Sequence, residues 1–210
     1  MWLSDGKYMN RQILVIALAL QIFAPLCEAR KQNVVEEIFD DIQERHSFSI
    51  PAAGSIEVAF SPNEGSEHLV VKVIDSAKMD IKLLAYSFTS APVTEALERA
   101  RKRGATVTLV VDNKSNTRED RSGKARAALS ALALAGCNVR TISVYPIHHD
   151  KVIIVDSQTV ELGSFNYSSA AAHANSENVF VNWNNPQLAA VYLKHFERNL
   201  TQSSPYELRY

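Results

Sequence analysis

His149, Lys151 and Asp156 fall in the run His-Asp-Lys-Val-Ile-Ile-Val-Asp, and Gly163-Ser164-Phe165-Asn166 follows shortly after. Imidazole is a nucleophile or acid/base near neutral pH, because its ordinary pKa is about 6.5. Lysine adds a fixed cation, and serine and asparagine add neutral hydrogen-bonding groups. Such a set suits an anionic, phosphate-like group whose charge grows in a transition state. His148, His149, Asp150 and Asp156 are all metal-ligand types, but a lysine among them opposes a divalent cation. The expectation is a reaction without metal or other cofactor, in which Lys and His supply the positive charge.

These side chains need strands to position them. Val152 to Val155 is an unbroken β-branched run, so His149 to Asp156 predicts a buried strand. Side chains alternate along a strand, which puts His149 and Lys151 on one face. Ser157-Gln158 predicts a turn, and Thr159 to Leu162 predicts a returning strand that ends at Gly163. Ser164 and Asn166 again share a parity. Asp156 stands at an odd offset from His149, so it is expected on the other face as a structural turn residue. His148 is expected to be structural or on the rim.

At average residue frequencies, H-x-K-x-x-x-x-D alone would occur by chance in roughly one such chain in a hundred. Adding G-S-x-N and then Ser176-Glu177-Asn178 makes the pattern far more specific. These residues resemble the signature of the phospholipase D superfamily. The stretch from Ile56 to about Leu200 resembles its small bacterial periplasmic endonucleases, through Ala85-Tyr86-Ser87-Phe88-Thr89, Pro146 to Lys151 and Val179 to Trp183. Residues 30–54 fall outside the resemblance.

The resemblance implies an α/β/α sandwich and a role for each residue. His149 attacks phosphorus and carries a phosphohistidine. Lys151 holds a nonbridging oxygen, and Ser164 and Asn166 donate to the phosphate or orient the histidine. Glu177 fixes the histidine tautomer. Gly163 and Asp156 complete the motif structurally. It also implies a homodimer. The reaction needs a second histidine as acid, this chain carries one H-x-K, and a two-fold axis would bring two copies of His149 to one shared site.

The rest of the chain sets bounds. Its 210 residues suit one domain plus extensions, and its net charge of −1 supplies no global field for nucleic acid. Any such affinity must be local. Lys114, Arg118, Arg121 and Lys124, with Arg126, lie beyond a strand ending at Asp112, where α/β folds place ligand contacts. Arg99, Arg101, Lys102 and Arg103 close a helix before Gly104 and read as cations complementing its dipole.

Lys7, Arg11 and the apolar run Ile13 to Leu26 read as a signal peptide over residues 1–29, cut after Ala29. That implies a periplasmic or secreted protein without stable membrane association after cleavage. Lipidation at Cys27 and an uncleaved anchor stay open. Cys137 would then be the lone cysteine, read as a small buried hydrophobe. Residues 30–54 read as an amphipathic helix, from Val34, Val35, Ile38, Phe39 and Ile42, and a linker.

From 55 to 203 strands and helices alternate, which predicts an α/β domain with a mixed sheet between helices, and 204–210 as a tail. The expected strands are 56–60, 81–88, 107–111, 139–142 and 178–183 besides the motif hairpin. The expected helices are 67–78, 93–103, 124–135 and 186–200. The expected function is a metal-independent phosphodiesterase, an endonuclease of low sequence specificity acting on DNA or RNA; the alternatives are a phospholipase D-type lipid hydrolase on the same residues and a nucleic-acid-binding module with a decayed site.

Overall fold

The computed structural model describes residues 47–208. The expected signal peptide, Cys27 and the amphipathic helix lie outside the described residues. The elements in chain order are β1 (Ser55–Ser61), α1 (Ser66–Asp75), β2 (Asp80–Ala85), α2 (Ala91–Lys102), β3 (Thr106–Asp112), a π-helical turn (Lys114–Arg118) and α3 (Lys124–Leu134). β4 (Asn138–Ile142), β5 (Lys151–Val155), β6 (Thr159–Gly163), α4 (Ser169–His173), β7 (Glu177–Trp183), α5 (Pro186–Thr201) and β8 (Ser204–Pro205) complete it.

The strands form one mixed sheet of order β1-β7-β6-β5-β2-β3-β4-β8. β2, β3 and β4 are parallel neighbours, and the helices between them make the crossovers that parallel pairing requires. β5, β6 and β7 run back and forth as hairpins. Alternation along each strand divides the core in two. Leu83, Ile153 and Val181 point to the face covered by α1, α2 and α3, where Leu69, Leu97 and Leu129 meet them. Leu84, Ile154 and Val160 point to the other face, which α5 covers with Ala189 and Phe196. Helices α1, α2 and α3 and the short α4, through Ala171 and Ala172, thus cover one face of the sheet, and α5 covers the other.

Local chemistry explains the boundaries. Ser90 caps α2 by accepting from Val93 N at 3.2 Å, and Asn185 caps α5 by accepting from Leu188 N at 3.1 Å. Gly136 ends α3 with φ of 84°, a left-handed value that favours glycine. The β5–β6 turn carries Asp156 at φ 51° and Ser157 at φ 54°. Cys137 is 8 % exposed, and burial pushes its thiol up to about 11.

The basic end of α2 has local partners: Arg99 pairs with Asp75 at 2.9 Å and Arg101 donates to Gly136 O at 3.0 Å. Three expectations change. Strand β2 stops at Ala85 rather than Phe88, because Asn116 takes the backbone groups beyond it. Helix α1 ends at Asp75, before Lys78. Residues 204–206 join the sheet: Ser204 pairs with Thr141, and Tyr206 N donates to Val139 O at 2.9 Å. Among the described residues, no helix is long and apolar enough to cross a membrane.

Candidate active site

The motif residues meet where the carboxyl ends of β2, β3 and β4 come level with the start of β5, the end of β6 and the start of β7. Open α/β sheets ordinarily bind ligands at this end. Lys151 is the first residue of β5, in register with Ala85, and it is 6 % exposed. Its Nζ donates to His149 O at 2.9 Å and lies 5.2 Å from the centre of the Tyr86 ring. Burial pulls the ammonium below the usual lysine range, against the pull of Asp150 and Glu177. The Tyr86 and His149 rings lie 4.8 Å apart, tilted by 53°.

His149 is exposed and lies outside the strand, which corrects the expected span from His149 to Asp156. The reason is the preceding residue. His148 N donates to the buried carboxylate of Asp112 at 3.0 Å, so a side chain holds the chain here instead of a strand partner. Pairing resumes when Tyr86 N donates to Asp150 O at 2.9 Å. The backbone of a loop, the Tyr86 ring and Lys151 Nζ thus bring His149 and Lys151 together, rather than strand parity.

The end of the β6 segment is built on close approach. A Cβ on Gly163 would stand 2.2 Å from Asn178 O, so only glycine lets β6 and β7 pair here. Ser164 Oγ donates its one proton to Glu177 Oε2 at 2.6 Å and accepts from Asn178 N at 3.1 Å. Glu177 Oε1 accepts from Asn175 Nδ2 at 3.0 Å. Glu177 therefore sits on Ser164, and among the described residues no hydrogen bond joins it to the His149 ring. Asn166 follows, with its Oδ1 buried and without a partner among the described residues.

Beneath this segment lies a pair that sequence reasoning missed. Glu161 is fully buried on β6 and accepts from Tyr167 Oη at 3.0 Å. Burial pushes its carboxyl up to about 8, against the pull of that hydrogen bond, so it is neutral through most of the physiological range. Tyr167 O in turn accepts from Thr89 N and Ser90 N, each at 2.8 Å, which ties the Asn166 segment to the loop after β2. The signal was present in Val-Glu-Leu, an acid in a short apolar strand.

Two other positioning groups also lay unread. Asn116, fully buried, accepts from Phe88 N at 2.9 Å and donates to Tyr86 O at 2.6 Å and Asp112 O at 2.8 Å. It fastens the Tyr86 loop to β3. On the α5 side, Asp150 Oδ2 meets His195 Nε2 at 2.8 Å and lies 3.6 Å from His148 Nδ1. Burial opposes ionisation of Asp150, but His195, His148 and Lys151 together outweigh it and hold the carboxyl below its usual range. His148 is 3 % exposed, and burial lowers its pKa.

Asp156 lies at the far end of β5 from this cluster. Its carboxylate accepts from Lys78 N at 2.9 Å, Met79 N at 2.8 Å and Asp80 N at 2.9 Å. Strand length, more than parity, takes it away from His149. Of the basic loop, Lys114 pairs with Glu119 at 3.1 Å, and Arg121 and Lys124 are exposed. Arg118 lines a recess with Arg126.

Comparison with known proteins agrees with this geometry. Residues 70–200 match the family model described as cardiolipin synthase, PLD-like domain. The chain is 34% identical to a phospholipase D of Rickettsia typhi over 166 residues, 78% of each chain. It is 28% identical to a mitochondrial cardiolipin hydrolase of Danio rerio, over 85% of this chain and 72% of that one. Among solved structures it is similar to Nuc of Salmonella typhimurium, a phospholipase D family member. That similarity has 45% identity and a TM-score of 0.69, over 73% of this chain and 98% of Nuc.

Proposed function

The chain belongs to the phospholipase D superfamily and is a phosphodiester hydrolase, and we propose that it is a metal-independent endonuclease of low sequence specificity. One observation carries the chemistry: an exposed imidazole held beside a buried ammonium, His149 next to Lys151 under the Tyr86 ring. The polynucleotide substrate is supported by the similarity to Nuc over nearly all of that chain, and by the cationic loop 114–126 on the same end of the sheet.

In this reading an imidazole nitrogen of His149 attacks phosphorus, forming an N–P bond as the P–O bond to the leaving nucleotide breaks. Lys151 neutralises charge gathering on a nonbridging oxygen. A protonated second histidine gives its proton to the leaving oxygen. That histidine, now neutral, takes a proton from water, whose oxygen attacks phosphorus and releases His149. We assign the second role to His149 of the partner subunit in a two-fold dimer. An exposed His149 supports this, as does the apolar face of β1 nearby, where Phe60 is 50 % exposed in register with Asn178. Glu177 acts through Ser164, whose hydroxyl it holds, and Asn166, two residues on, keeps a buried acceptor with no partner among the described residues. Export to the periplasm or beyond rests on the expected signal peptide.

A second reading, phospholipid hydrolysis on the same residues, is favoured by the names of the relatives and by two apolar side chains leading into His149. Val144 is 57 % and Ile147 54 % exposed, a pair suited to a lipid surface. Purified mature protein is to be assayed on plasmid DNA, RNA and phosphatidylcholine vesicles, each with and without EDTA. Nicking and degradation of nucleic acid that survives EDTA is the expected result. Loss of activity in EDTA with rescue by Mg²⁺ or Zn²⁺ would overturn the mechanism, and turnover of the lipid alone would select the second reading.

A further inference from the structure

We infer that the recess between α3, the π-helical turn and the β4–β8 edge of the sheet is a subsite for a nucleotide a few positions along the strand from the cleaved bond; the inference rests on the nuclease reading above. The recess has a volume of about 700 Å³, and its walls include Arg118, Arg126, Thr117, Ser130, Tyr206 and Glu207. It lies in register with the catalytic lysine. Lys151 pairs with Ala85, Ala85 with Val111, Val111 with Thr141 and Thr141 with Ser204, and Thr141 and Ser204 both line the recess.

Three strand spacings separate Lys151 from Thr141, which is about 14 Å across the sheet. A stacked strand rising 3.4 Å per nucleotide covers that in about four steps, and an extended strand in fewer. Such a strand would run over the carboxyl ends of β2 and β3, past Tyr86 and Asn113.

The chemistry of the walls suits one phosphate and one base. Arg118 is exposed, and among the described residues neither Arg118 nor Arg126 forms a salt bridge. Arg126 Nη1 donates to Thr117 O at 3.0 Å, which fixes the guanidinium plane at the recess wall. Tyr206 is held by Ser130 Oγ at 3.2 Å from its hydroxyl and by the β4 backbone, so it offers a rigid aromatic wall beside Pro205. Base stacking on such a wall tolerates any sequence. Glu207 stands on the same wall as the two arginines and limits where a phosphodiester can sit.

The test is equilibrium binding of 5′-fluorescein oligothymidylates of increasing length, by anisotropy, to His149→Ala protein that binds without turnover. Affinity should climb with length and level off once the strand spans the recess. Arg118→Ala and Arg126→Ala should each weaken binding of a 12-mer about tenfold, as expected for a charge-assisted contact, and leave the dinucleotide unaffected. Arg118→Ala alters only an exposed side chain, so it stays informative if Arg126→Ala loosens the loop. Glu207→Gln should tighten the 12-mer. Equal 12-mer affinity in parent and Arg118→Ala protein, or the same loss at every length, would overturn the subsite. If wild-type protein hydrolyses a small phosphodiester but neither cleaves nor binds any oligonucleotide, the nuclease reading itself fails and the subsite with it.

Discussion

The two ends of β5 treat their polar groups in opposite ways. At the turn end the Asp156 carboxylate is saturated, receiving three backbone N–H groups from residues 78–80. At the Lys151 end the chain leaves polar capacity unspent. His149 is exposed, and Asn166 Oδ1, His148 Nε2 and the deeper Glu161 Oε1 are buried without partners among the described residues. Unmade hydrogen bonds in a protein interior cost stability, and they persist where function retains them. One sequence motif thus spans a strand whose turn end stabilises the fold and whose other end carries the chemistry.

The sharpest way to break this comparison is to remove the nucleophile. His149→Ala should lower kcat by at least about 10⁴-fold, as expected for loss of a covalent catalyst, with no change in unfolding midpoint because the side chain is exposed. No phosphoenzyme should form in rapid-quench experiments. Isolated heterodimers of wild-type and His149→Ala chains should be almost inactive, since each shared site lacks one of its histidines. An active monomer in sedimentation at assay concentration, or half activity in those heterodimers, rules out the shared site.

The turn end should answer in the other currency. Asp156→Ala strands three N–H groups that are partly exposed, and should cost about 2 kcal/mol of stability. Specific activity of the folded fraction should stay within about threefold, a change of under 1 kcal/mol in barrier. Burial raises the Asp156 pKa, but those N–H groups together outweigh it and hold the carboxyl below its usual range. Its contribution is therefore present above the ordinary aspartate value of about 3.9 and is lost as pH falls through the lower folded value. Asp156→Asn should flatten the acid limb of the stability curve. A stably folded Asp156 variant as inactive as His149→Ala would erase the distinction between the two ends.

Between the ends sits Glu161, whose pH dependence is opposite in sign to that of Asp156. Its folded carboxyl is pushed up to about 8 from an ordinary 4.5. Between those values the native state holds a proton that the unfolded state has released, so stability falls as pH rises, by at most about 1.4 kcal/mol per pH unit. Glu161→Gln keeps the shape and removes the proton. Denaturant unfolding at pH 5, 6.5 and 8 should show a falling series for wild type and a flatter one for the variant. Parallel series would mean that Glu161 is ionised in the folded protein.

These contrasts also mark what was legible in the sequence. The strands and helices of the parallel half were readable because β-branched runs and helical spacing are local signals, and residues 107–111 and 186–200 fall within a residue of the observed elements. Lys151, Gly163 and Ser164 converge because a hairpin brings its two ends together. Partners supplied by distant segments were not legible. Asn116 takes the end of β2, Asp112 takes His148 N, and His195 reaches Asp150 from the last helix. Each is a side chain from a distant element satisfying a loop, and no periodicity announces it. The expectation for Glu177 shows the same limit: the residue is at the site, but within the chain its hydrogen bonds go to Ser164 and Asn175.

Tyr86 offers the finest cut, because it touches both reacting side chains and neither proton transfer nor the attack needs its hydroxyl. Its ring faces Lys151 Nζ at 5.2 Å and lies 4.8 Å from the His149 ring. A cation over an aromatic face gains about 0.5–2 kcal/mol, more when shielded from water, as Lys151 is. Tyr86→Leu should therefore lower kcat about five- to tenfold with little change in KM, while Tyr86→Phe keeps the ring and stays near wild type. The pH profile separates this role from simple packing. Burial already lowers the Lys151 pKa, and losing the ring lowers it further, so the alkaline limb of kcat should move to lower pH in Tyr86→Leu and stay in place in Tyr86→Phe. A Leu variant with an unshifted alkaline limb, or a Phe variant as slow as the Leu one, would leave the ring as packing and the hydroxyl as the working group.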